Sequence, residues 1–129
     1  MLQKASMAFG VVFVLIGLLG FVPGVTIDAD NGNKLLLGIF EVNAVHNLVH
    51  IASGVVALIA ATSVSYARLY FQVFGVVYGL VAVLGFMMSP VLGLIPVNLA
   101  DNLLHVVITV AALYLGFFFK QPAAPTAKV

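Results

Sequence analysis

VNAVHNLVH, from Val42 to His50, returns 55 positions later as VNLADNLLH, from Val97 to His105. The match extends outward, so that residues 38–58 fall on 93–113, with Val55, Ala57 and Leu58 landing on Val110, Ala112 and Leu113. Upstream, an offset of 65 carries Phe9, Gly10, Val11, Val12 and Gly20 onto Phe74, Gly75, Val76, Val77 and Gly85. The chain is therefore a helical hairpin written twice. Its shared polar letters, N-x-x-x-N-x-x-H, lie inside strongly apolar segments, which points to an interior site where the copies meet.

Composition sets the class. Of 129 residues, 64% are hydrophobic and only 7% charged, and the mean hydropathy is +1.24, too few polar residues to cover a water-soluble surface. The chain reads as an integral membrane protein in contact with lipid. It has no cysteine, which removes disulfides, thiolate nucleophiles and covalently attached haem. A net charge of +1 offers no basic field for nucleic acid.

Residues 5–22, 41–62, 69–88 and 96–119 are apolar runs close to the roughly 20 residues that a bilayer core demands of a helix. Residues 28–34 (DADNGNK) read as the first loop, Ser63-Val64-Ser65 as the second and Ser89-Pro90 as the third. Residues 35–40 and 91–95 read as apolar lead-ins at the interface. Lys4 before an apolar run resembles a signal peptide, but its 65-residue echo lies in a segment that cannot be one, so the first helix is expected to stay. Lys4, Arg68, Lys120 and Lys128 share one side of the resulting topology, and Asp28, Asp30 and Lys34 lie on the other. The positive-inside bias then makes both termini cytoplasmic. Each hairpin has two crossings, so the copies are parallel repeats related by an axis along the membrane normal.

The expected fold is all-α: a four-helix transmembrane bundle of two parallel helical-hairpin repeats. It forms a single domain over residues 1–120, with repeat one at 5–62, repeat two at 69–119 and a disordered tail at 121–129. At about 100° per residue, Asn43, His46, Asn47, His50 and Gly54 share one narrow face, as do Asn98, Asp101, Asn102, His105 and Thr109. Helix starts near Glu41 and Pro96 put His50 and His105 roughly 14 Å deep, and pairing across the axis sets His46 opposite Asp101 and His50 opposite His105.

That convergence admits several chemistries. Asn43, Asn47, Asn98 and Asn102 read as structural, serving helix starts and interhelical hydrogen bonds. His46, His50, Asp101 and His105 can hold a divalent ion, since i, i+4 spacing brings each pair to one side of its helix. His50 and His105 alone can be axial ligands of a b-type haem. A His46–Asp101 ion pair would need neither, and a hydrogen-bonded network that organises the bundle or a partner interface is the leading reading. The candidate partner is a second copy or another membrane protein. Proton or solute conduction is disfavoured because the stripe turns apolar below the histidines. No nucleophile–base set or phosphate loop is found, so a non-enzymatic role is expected.

The strings LLGIFEVNAVHNLVHIASGVVAL, ARLYFQVFGVVYGLVAVLGF and LLGLIPVNLADNLLHVVITVAAL resemble the bacterial four-helix membrane proteins grouped as domain of unknown function 4383. The resemblance implies a four-crossing protein of the bacterial inner membrane. It implies no activity, substrate or cofactor.

Overall fold

The computed structural model describes residues 1–122. Its elements are α1 (Leu2–Leu19), β1 (Thr26–Asp28), β2 (Lys34–Leu36), β3 (Phe40–Val42), α2 (Ala44–Ala60), α3 (Val64–Met87) and α4 (Leu99–Leu113), the last continuing as a π-helical turn over Tyr114–Phe118. Among the described residues, three helical stretches are long and apolar enough to cross a membrane: Leu2–Leu19, Val64–Met87 and Leu99–Phe118. The remaining helix, α2, has 17 residues and is apolar throughout most of its surface.

Helix starts follow side-chain caps. Asn43 accepts from the His46 N–H at 2.8 Å and begins α2, while Ser63 accepts from the Tyr66 N–H at 3.0 Å and begins α3. Asn98 and Asp101 form a reciprocal capping box at the start of α4, with the Asp101 N–H on Asn98 Oδ1 at 3.0 Å and the Asn98 N–H on Asp101 Oδ2 at 2.9 Å. Such oxygens satisfy amide donors that the helix itself leaves free. The sequence reading of a helix starting at Glu41 is therefore corrected, as is the first-turn role of Pro96. Both residues precede the cap. The expected loop at residues 63–65 likewise moves to 61–63, ending on the Ser63 cap, so α3 gains a turn before Leu69.

A three-stranded antiparallel sheet, ordered β1–β2–β3, replaces the expected loop and first lead-in. Asp28 pairs with Lys34 in register and the two side chains form an ion pair. The turn between them passes through Gly32 at φ +84°, a conformation that glycine adopts at little cost. Glu41 lies in β3, where its carboxylate accepts from the side chains of Asn31 at 2.6 Å and Asn33 at 2.8 Å. Strands of three residues are too short for hydrophobic alternation to register, although DNGN between apolar runs is a hairpin signal.

The two segments that lead into α2 and α4 adopt the same turn. Leu37 and Gly38 have φ of 54° and 70°, and Leu92 and Gly93 have φ of 51° and 73°. Leu36 pairs with Phe40, and Val91 bridges to Ile95. Each turn is gripped by the opposite helix: Asn43 Nδ2 donates to the Leu94 carbonyl at 2.9 Å, and Asn98 Nδ2 to the Ile39 carbonyl at 2.7 Å.

The helices pack as α1 along α2 and α3 along α4. Gly10 and Gly54 let the first pair touch backbone to backbone: a Cβ on Gly54 would lie 2.7 Å from the Val14 nitrogen and 2.8 Å from the Gly10 oxygen. Between the pairs sits an aromatic core, with Phe9 edge-on to Phe71 at 5.1 Å and Phe74 stacked on Tyr78 at 4.1 Å. At the end bearing the termini, Arg68 and Gln72 donate to the Gly116 carbonyl at 3.2 and 3.1 Å, partnering an oxygen in the π-helical turn. The expectation for residues 121–129 lies, from residue 123 on, outside the described residues. Gln121 Oε1 itself accepts from the N-terminal ammonium of Met1 and from the Leu2 amide.

Candidate functional site

Opposite the termini, α2 and α4 bring three imidazoles together. His46 and His50 stand one turn apart on α2 with ring centroids 4.6 Å apart, and His105 on α4 stands 6.0 Å from His46. One ligand nitrogen from each ring lies within 4.8 Å of the other two. The residues are 2%, 9% and 3% exposed, and the Nδ1 atoms of all three are buried with no hydrogen-bond partner among the described residues. An unpaired buried polar atom costs roughly 1–3 kcal/mol, and one on each of three neighbouring rings calls for an explanation.

Aromatic rings hold the imidazoles in place. Phe13 of α1 packs edge-on against His50 at 5.3 Å, and Tyr78 of α3 does the same to His105 at 5.4 Å. Phe13 and Tyr78 meet at 5.6 Å beneath the cluster. Neither was singled out in the sequence. Their signal was an aromatic at both ends of the 65-residue offset, obscured because one is Phe and the other Tyr.

The other expected site residues separate from the histidines. Asp101 stands outside the three-histidine group, its Oδ2 accepting from the amides of Asn98 and Glu41, both at 2.9 Å. The expected His46–Asp101 ion pair does not form; Lys34–Asp28 is the one ion pair among the described residues. Backbone amides outcompete the imidazole because capping holds them fixed within reach of the carboxylate. Asn43 and Asn98 are the helix caps. Asn47 and Asn102 lie buried against Gly20 and Gly85, where a Cβ would overlap their side chains, and Asn102 Nδ2 donates to the Gly85 carbonyl at 2.9 Å.

The arrangement defines a class: a helical membrane protein with a buried imidazole cluster near one end of its bundle. A family profile described as Domain of unknown function (DUF4383) matches residues 3–118, and the chain belongs to that family. No curated protein matches it. No solved structure does either.

Proposed function

We propose that this is a metal-handling membrane protein whose His46, His50 and His105 bind a divalent transition ion. The observation that carries the reading is the convergence of one nitrogen from each of three buried imidazoles, each ring also keeping a buried Nδ1 with no hydrogen-bond partner among the described residues. The other polar residues have structural work: Asn43 and Asn98 cap helices and grip turns, Asp101 completes a capping box, and Asn102 reaches across to α3. A structural network joins those four residues, and the convergence of three imidazole nitrogens lies outside it.

Imidazole nitrogen suits Zn²⁺, Fe²⁺, Ni²⁺ or Cu²⁺, and an ion about 2.0–2.1 Å from each nitrogen draws the three slightly inward. Three protein ligands leave a coordination position open. A haem between His50 and His105 is poorly served, because His46 packs against both rings while Phe13 and Tyr78 pack against one each.

We also infer four crossings, both termini cytoplasmic, and descent of the two hairpins from one. Support for the last comes from exchange: Asn43 bonds Leu94, Asn98 bonds Ile39, and each partner lies 55 positions from its counterpart. Such reciprocity is the mark of a two-fold relation.

The test is metal analysis and visible absorption of protein purified in detergent without chelators, followed by Co²⁺ titration. One ion per chain is expected, with the affinity weakened at least ~100-fold by His50→Ala or His105→Ala. A Soret band transfers the histidines to haem. A colourless protein that binds Co²⁺ no better than its histidine variants overturns the reading.

A further inference from the structure

The three histidines stand where two lateral clefts end. The larger, of about 670 Å³, runs between α2 and α3 to His46 and His105. The smaller, of about 390 Å³, runs between α1 and α4 to His50, Asp101 and His105. Their walls correspond by position: Val12 and Phe13 in one stand 65 residues before Val77 and Tyr78 in the other. At the closed end they differ in charge, since Asp101 lines the smaller cleft where His46 lines the larger.

We propose that the α2/α3 cleft seats the hydrocarbon chain of a long-chain carboxylate, whose head group takes the open coordination position on the three-histidine ion. The proposal rests on the metal reading above for the ion, and on the cleft for the chain. Three neutral imidazoles leave a divalent charge uncompensated in a low-dielectric interior, so the remaining ligand is best an anionic oxygen. Asp101 is already committed to two amides, and its charge repels a second carboxylate from the smaller cleft. Among the described residues lining the larger cleft there is no lysine or arginine, which leaves the second negative charge of a phosphate head group without a cationic side chain.

The cleft suits a chain in length and in access. His46 and Ala60 both line it, and 14 residues of helix span about 21 Å. Val56, Leu69 and Val73 on its walls are 54%, 56% and 56% exposed on the face that meets hydrocarbon, so entry is from lipid rather than from water. Moving a chain from lipid into an apolar cleft gains little, because lipid tails are equally apolar. Selectivity arises because the chain carries its carboxylate to a site that a water-soluble acid reaches only by shedding water.

The full chain, loaded with Co²⁺ in detergent, tests this through its visible ligand-field bands. Laurate is expected to shift the bands at a concentration at least about tenfold below that needed for acetate, equivalent to ~1.4 kcal/mol, and methyl laurate to leave them unchanged. Ala52→Phe, which narrows the cleft from α2, and Val73→Phe, which narrows it from α3, are expected to keep the Co²⁺ bands and remove the advantage of laurate. Equal potency of acetate and laurate, a response to methyl laurate, or an undiminished laurate response in both variants overturns the proposal while leaving the metal centre standing. Failure to develop Co²⁺ bands at all overturns the metal reading itself, and this proposal with it.

Discussion

Asp101 lies 55 positions after His46, at the matching place in the echoed sequence, and their surroundings give them opposite tasks. The carboxylate joins its own helix start to the backbone of β3, accepting the amides of Asn98 and Glu41 with one oxygen. Asp101→Ala is expected to leave two part-buried amides unpaired at about 1 kcal/mol each, read as a lower midpoint in an SDS titration followed by circular dichroism. Asp101→Asn keeps an accepting oxygen and is expected to recover part of that loss. Neither change should weaken Co²⁺ binding more than a few-fold; a loss as large as that of His105→Ala would make Asp101 a ligand. The residue pattern carried much of this. Asn at a cap followed three positions later by Asp is capping-box spacing. That signal is present in N-L-A-D, on the same helix face as His105.

The hairpin elements are held at their closed ends by one device used twice. Asn47 fills the space beside Gly20 and Asn102 the space beside Gly85, with only a hydrogen tolerated at each glycine. Gly20→Ala and Gly85→Ala are expected to destabilise the fold by about 1–3 kcal/mol each, as overpacked sites do. Gly79→Ala, whose Cβ would meet only the Thr109 methyl at 3.2 Å, serves as the mild comparison in the same SDS titration. Equal effects at all three positions would show that the asparagines do not set the packing distance. At this scale the four apolar runs were legible because each is long and uninterrupted. The starts of α2 and α4 were each displaced by three residues because apolar runs continue through Phe40–Val42 and Val97, where pairing and caps, rather than hydropathy, decide the backbone. The sheet was not legible, since its strands are three residues long and it is tied by contacts distant in sequence, such as Glu41 of β3 with Asn31 and Asn33 of the β1–β2 turn.

For the molecule as a whole, the crossing of α2 decides whether the histidines of both copies share one depth in the membrane. Its 17 residues span about 26 Å, a little short of a bilayer core of about 30 Å. The shortfall is met at its start by β3 and the turn at Leu37–Gly38, whose backbone groups are paired within the sheet or bonded to Asn98. At its far end Thr62 is exposed, next to the Ser63 cap of α3 and six residues before Arg68. Beyond the other end of α2, Asp30 is exposed in the turn between β1 and β2. The chain has no cysteine, so Asp30→Cys and Thr62→Cys each introduce a single thiol with nothing to remove. With a membrane-impermeant maleimide on intact cells, Asp30→Cys is expected to label and Thr62→Cys to stay unlabelled until the membrane is opened. Labelling of both from the same side would mean that α2 lies along the interface instead of crossing it. The two histidine-bearing helices would then meet the bilayer at unlike heights, and one ion could not be coordinated from both inside the membrane.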